Sequence, residues 1–234
     1  MIYYDFFGKN CRLEKNLQNK QPFVTKLQEL GIVYQEICFL NQTHSNEVVI
    51  IDSMQSLFHI YQNTLPQADA IISNQKNIVL SIITADCVPI LLFDSKKQII
   101  SAVHAGHKGA KNNILSQVLE KMQMLGAEIN NISAIIGPCI RKNSYQVSPD
   151  FYDNFSTEKI IKESFFAIDP LNSAKFIFDL PGYIIHQLTT FGIKNISDTK
   201  IDTYLNSHLY SSYRRCTHLN IKDCGRNISF IINH

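Results

Sequence analysis

The stretch from Asp69 to Gly109 constrains this chain most. It holds three apolar, β-branched runs, Ile78–Ile83, Val88–Phe93 and Ile99–Val103, each of the length and composition of a buried strand. Apart from Ser81 and Ser101, the polar residues fall before, between and after these runs, among them Asp69, Thr84, Asp86 and Cys87, then His104, Gly106, His107, Lys108 and Gly109. Apolar strands that fix position, with ligands and charges at their ends, are how a site is built on a scaffold. Cys87 and His104 are two potential metal ligands at such ends, and His44, in the turn-like segment NQTHSN, is a third.

The flanking segments extend the pattern. Met1–Phe7 and Ile32–Leu40 are strand candidates, and Val48–Ile51 resumes a strand after the His44 turn. Pro22–Gly31 has helical spacing with a glycine stop, whereas Asp52–Pro66 reads as irregular or weakly helical. Ala110–Leu125 carries apolar residues at helical spacing and ends at Gly126. GHKG would then lie at a helix N-terminus, where backbone N–H groups and Lys108 favour an anion. Ile129–Ile136 predicts a strand that leads into a Gly-Pro turn and Cys139, a thiol held out at the pocket or a buried turn residue. Ser148–Phe166 predicts a capped helix with Pro149 at its first position. Phe176–Leu180 is extended, Pro181–Phe191 helical and Ile193–Ile196 a short strand, and the tail ends in a strand preceded by Arg214, Arg215 and Arg226. Without a repeat, low-complexity tract or Pro/Gly/Ser linker, residues 1–234 parse as one domain.

Composition excludes several classes. A net charge of +2 without a Lys/Arg run gives no footprint for nucleic acid. No run approaches 18 apolar residues, so no membrane span is expected. MIYYDFFGKN lacks a basic segment followed by a long apolar one, so no signal peptide is expected. Six cysteines in such a chain predict free thiols in a reducing cytoplasm rather than a disulfide framework.

A His–Cys–His set suits zinc, and three protein ligands leave a fourth position for water or substrate. The ligands lie 43 and 17 residues apart, which matches no local zinc pattern. Asp86 and His107 are candidates to orient ligands or move protons. The zinc deaminase signature is not indicated, because Lys142 stands where its second cysteine would be.

Several segments occur in order over about four-fifths of the chain: QTHSNEVVIID, ADAIIS, TADCVPILLFD, AVHAGHKGAKNNIL, IGPCIRKNSYQV and the final SYRR…GRN strand. Together they closely resemble the YfiH/YlmD family, also called the laccase-domain, polyphenol oxidase or peptidoglycan editing factor family. The resemblance implies an α+β fold, a single compact domain with packed mixed β-sheets flanked by helices. It implies one zinc ion on His44, Cys87 and His104. It also implies purine nucleoside phosphorylase activity, with adenosine deaminase and S-methyl-5′-thioadenosine phosphorylase activities at the same site. Purine nucleosides and phosphate are then the small-molecule partners of a monomer or small homo-oligomer. Lys108, Arg214 and Arg226 are candidates to hold phosphate, and Asp86, His107 and Cys139 are the candidate catalytic groups. There are departures. His107 replaces the tryptophan of the usual HAGW, the N-terminal Gly-Gly-Val-Ser-like loop is lacking, and the Cys-Thr pair before SYRR is Asp202-Thr203.

Three other readings compete. Multicopper oxidase centres need many histidines, often as H-x-H pairs; this chain has eight histidines and no such pair, so copper is disfavoured. A cysteine-dependent hydrolase or amidase in peptidoglycan precursor editing would use Cys87 or Cys139 as nucleophile with a histidine base. A non-enzymatic metal-stabilised binding protein would have a closed zinc shell and no turnover.

Overall fold

The apolar runs of the central stretch are neighbours in sequence but are divided between two sheets. The computed structural model describes residues 1–234 apart from Lys15, Asn16, Gln18 and Asn63. In chain order the strands begin with β1 (Ile2–Phe7), β2 (Glu36–Cys38), β3 (Val48–Ile51), β4 (Ala70–Ser73), β5 (Ile78–Thr84), β6 (Val88–Asp94) and β7 (Ile99–Ala105). They continue with β8 (Ile132–Ile136), β9 (Gln146–Val147), β10 (Phe166–Asp169), β11 (Asn172–Phe178), β12 (Asn195–Asp198) and β13 (Asn227–Asn233). The helices are α1 (Gln21–Glu29), α2 (Met54–Ile60), α3 (His107–Lys111), α4 (Ile114–Met124), α5 (Pro149–Phe155), α6 (Lys159–Phe165), α7 (Leu180–Thr190) and α8 (Tyr213–His218).

A four-stranded sheet has the order β1-β13-β5-β2, and a six-stranded sheet the order β12-β8-β6-β7-β4-β3. A small third sheet, β10-β11-β9, completes the set. The fold is α+β, with sheets of mixed and antiparallel pairing. Among the described residues no helix is long and apolar enough to cross a membrane.

Strand alternation explains the layering. In β6, Val88, Ile90 and Leu92 face a core shared with α4 and α7, whereas Leu91 faces a core between the two large sheets. In β5, Leu80 and Ile82 face that inter-sheet core, while Val79 and Ile83 join Phe23 and Leu27 of α1 on the other side. Both faces of the central strands are therefore buried, which is why they read as continuous apolar runs rather than alternating ones. The Ala85–Cys87 turn between β5 and β6 passes from one sheet to the other, so Cys87 sits where the sheets meet.

Several expected elements differ. The 110–125 helix is two helices, α3 and α4, broken where Asn113 takes the left-handed conformation at φ +58°, which asparagine tolerates better than most residues. Gln187 Nε2 donates to the carbonyl of Ala110 at 3.1 Å, satisfying an acceptor beside the break. The 148–166 helix is likewise split into α5 and α6, with extended Ser156 ending the first. Only Glu36–Cys38 of the 32–40 segment pairs as a strand. Cys216 and Cys224 form a disulfide, against the expectation of free thiols. The turn after α8 brings their Cα atoms to 5.7 Å, within bridging range. Cys11, Cys38, Cys87 and Cys139 are free.

Candidate metal centre

Three separate segments converge on one point. His44 comes from the β2–β3 loop, Cys87 from the β5–β6 turn, and His104 from the end of β7. One ligand atom from each residue lies within 4.8 Å of the others. Cys87 Sγ is 3.8 Å from His44 Nε2. The two imidazoles meet edge to face with centroids 4.8 Å apart.

A buried carboxylate organises this convergence. Asp69, just before β4, is fully buried. It accepts hydrogen bonds from the backbone N–H groups of Thr43, His44 and Ser45 at 3.2, 3.0 and 2.6 Å. The Ser45 hydroxyl also donates to it, at 2.7 Å. His104 Nδ1 donates to its second face at 2.7 Å. A carboxylate can only accept here, so the Nδ1–H tautomer is set and Nε2 is left free as a ligand. Burial opposes ionisation of Asp69, but the bonds from His104 and Ser45 outweigh it and hold the carboxyl down to about 2. The same network holds His44 at φ +62°, a conformation unfavourable for a residue with a Cβ.

Burial raises the Cys87 pKa, and the His104 and His44 imidazoles more than reverse this, so the thiolate is favoured. Space for an ion's ligands is reserved on the opposite side. A Cβ at Gly106 would lie 2.9 Å from His44 Cδ2 and 3.1 Å from Cys87 Sγ, and one at Gly109 would lie 3.0 Å from the Ser45 carbonyl. The glycines of HAGHKG therefore make room for the His44 loop. One thiolate and two imidazoles, one of them with its tautomer fixed by a carboxylate, fit a single borderline-soft divalent ion.

Two cavities meet at the cluster and share His44, Ala85, Cys87 and Tyr213. One, of about 410 Å³, is lined by Asp86, His107, Ile140, Tyr145, Leu180 and Arg214. The other, of about 680 Å³, is lined by Asn41, Gln42, Thr84, Leu65, His104 and Arg226. A larger groove of about 1180 Å³ lies between α2 and β2 and contains none of the three ligands.

Residues 15–234 match the family described as multi-copper polyphenol oxidoreductase laccase. The chain belongs to this family. Its relatives carry the YfiH and YlmD names: YlmD of Geobacillus stearothermophilus superposes with a TM-score of 0.77 at 20% identity, over 91% of this chain and 79% of that one. A Rickettsia prowazekii protein named purine nucleoside phosphorylase is 34% identical over 99% of this chain and 96% of its own length. A protein named adenosine deaminase, from an unknown prokaryotic organism, is 33% identical over 56% of this chain and 51% of its own length. The family's multi-copper description finds no multinuclear donor set here: among the described residues, the His44–Cys87–His104 group is the one cluster of at least three candidate ligands.

Within this YfiH/YlmD frame the other expected site residues separate. Asp86 lies at the cavity wall at φ +86°. Its two oxygens accept from the Thr203 hydroxyl and from the backbone N–H of Arg214, both at 2.7 Å. It thereby clamps the Cys87 turn to the start of α8. His107 lines the same cavity, with Nδ1 3.5 Å from the Tyr145 hydroxyl and its ring 5.0 Å from that of Phe151. Burial, together with Lys108 and His44, lowers its pKa. Cys139 is fully buried in the core, where desolvation pushes its thiol far up, so the Gly-Pro turn does not hold it out at the pocket. Lys108 is exposed on the five-residue α3, whose N-cap is Gly106, and it lines neither cavity. Arg214 and Arg226 each line one cavity. Arg215 instead donates to the carbonyls of Thr203, Tyr204 and Tyr210, holding the loop before α8.

Sequence reasoning missed the roles of Asp69, Gly106, Thr203 and Tyr145. Only Asp69 left a local signal, a carboxylate placed directly before an apolar strand with no basic residue nearby.

Proposed function

We propose that this protein is a zinc-dependent purine nucleoside phosphorylase that also deaminates adenosine and phosphorolyses S-methyl-5′-thioadenosine at the same site. The carrying observation is the open three-ligand cluster where two cavities meet. The full-length likeness to a purine nucleoside phosphorylase supports the first activity, and the likeness to an adenosine deaminase supports the second. A zinc ion on three protein ligands supplies Lewis acidity at its open position.

The chain's own residues do the rest. Asp69 fixes the His104 tautomer and the His44 loop, so the donors are ordered before an ion arrives. Tyr145, Leu180 and His107 wall a cavity whose size and apolar lining suit a purine. Burial lowers the His107 pKa, which favours the neutral ring, a group able to accept a proton beside the base. Arg214 and Arg226 bring positive charge to the two cavities.

The test is hypoxanthine release from inosine by the full-length protein. Release is expected only with inorganic phosphate present; it should disappear on metal stripping and return with zinc. A second reading has its own observation: Cys87, His104 and Asp69 also form a nucleophile–base–orienter chain. An amidase activity that survives metal stripping and is abolished by thiol alkylation would favour that reading over ours.

A further inference from the structure

The two cavities make different demands on a ligand. The Tyr145 cavity is mostly apolar, and its guanidinium, Arg214, lies over the Tyr145 ring at 5.4 Å from the centroid. The aromatic face meets part of that charge's need. In the other cavity, the side-chain amide of Gln42 is taken up by β5, donating to the carbonyl and accepting from the N–H of Ile83, both at 2.8 Å. Of Asn41, Thr64, Thr84 and Arg226, which also line it, the last two stand out. Thr84 is 2% exposed, and its hydroxyl has no hydrogen-bond partner among the described residues. Half-buried Arg226 donates to the neighbouring Gly225 carbonyl at 2.6 Å, and no described carboxylate forms an ion pair with it.

A guanidinium drawn out of water without a counter-anion is unfavourable, and so is an unpartnered buried hydroxyl. Burial lowers the Arg226 pKa, against the opposing pull of Cys87, Tyr213, Asp223 and Asp86, none of which is in ion-pair contact with it. One ligand class relieves both: a tetrahedral oxyanion, which accepts from the guanidinium fork and from a hydroxyl together. Both residues line this cavity at one end of the sheet, where Asn227 pairs with Thr84 across β13 and β5, and Cys87 follows three residues after Thr84.

We propose that the Arg226–Thr84 cavity is the oxyanion seat for inorganic phosphate and the Tyr145 cavity the seat of the purine ring, so that the reactants reach the metal cluster from separate cavities. The assignment rests on the phosphorolytic reading. A phosphate oxygen forms the bond to C1′ as the C1′–N9 bond breaks. The electron pair leaves with the purine, which takes the proton that monohydrogen phosphate gives up. Arg226 stays on the phosphate oxygens throughout. This separates the two arginines by role and removes Lys108 from the reaction.

Steady-state kinetics with inosine and inorganic phosphate, on the full-length zinc-loaded protein, test the assignment. Arg226→Gln should raise KM for phosphate about tenfold or more while KM for inosine stays within about threefold. Thr84→Val should shift the phosphate KM in the same direction by about threefold. Tyr145→Leu should instead raise KM for inosine. Arg226→Lys keeps the charge and should recover part of the phosphate affinity. In parallel, inorganic phosphate should raise the Tm of the wild type but not of Arg226→Gln. Turnover with an unchanged phosphate KM in Arg226→Gln overturns the seat and leaves the phosphorylase reading standing. A wild type without turnover, whose phosphate-induced Tm shift is lost in Arg226→Gln, keeps the seat and overturns that reading.

Discussion

The His44 loop and the Lys108 helix start border the same candidate metal cluster and are held in opposite ways. In the loop, three consecutive backbone N–H groups converge on one buried carboxylate, which also takes the N–H of His104. At the helix start, a lysine stands exposed on a five-residue helix and makes no ion pair among the described residues. A buried and fully satisfied network fixes geometry because every alternative leaves a polar group unpaired in low dielectric. An exposed charge is solvated and screened, so it fixes little. The difference teaches that ligand placement here depends on Asp69, which binds nothing itself, more than on the conspicuous basic residue of the motif.

Three substitutions break or sharpen the comparison. Asp69→Ala should have the largest effect. It strands four donors and frees the His104 tautomer, so a loss of about 3–5 kcal/mol in urea unfolding is expected, together with loss of bound metal. A variant within about 1 kcal/mol of the wild type that still holds the ion would break the comparison. Gly106→Ala should come next. Its new methyl presses on His44 Cδ2 and Cys87 Sγ, and metal affinity measured by chelator competition should fall about 10–100-fold. Unchanged affinity would mean that the gap at Gly106 is not needed for ligand convergence. Lys108→Ala should have the smallest effect, within about 0.5 kcal/mol in stability and with little change in the KM for phosphate. A large rise in that KM would restore the anion site at the helix start.

What was legible in the sequence follows the same division. The strands of the central stretch were readable because β6 and its neighbours are buried on both faces, which leaves a long apolar run in the sequence. The break at Asn113 was not readable, because the helical spacing of apolar residues continues across it and the Ala110 carbonyl, which accepts from the Asn113 N–H, also takes a bond from Gln187, 77 residues away. The ligand types were visible at the strand ends, but spacing alone did not join them; the resemblance to a family did. The glycines of HAGHKG suggested a phosphate-holding turn, and their actual use, clearance for His44 and Ser45, depends on a loop some 60 residues earlier. Asp69 is 24 to 35 residues from the groups it organises, so its position before an apolar strand marks it as unusual without displaying which groups it holds. The disulfide at Cys216 and Cys224 was missed because composition argued against a framework, and the turn that joins the pair is set by how α8 ends.

The most direct test of the metal centre compares the wild type with His44→Ala in metal content and in phosphate-dependent release of hypoxanthine from inosine, on the same preparations. The expected result is about one zinc per chain in the wild type, a large loss of zinc in the variant, and release that falls in step with it. A variant with full zinc content and full activity would contradict the assignment of the ion to His44, Cys87 and His104.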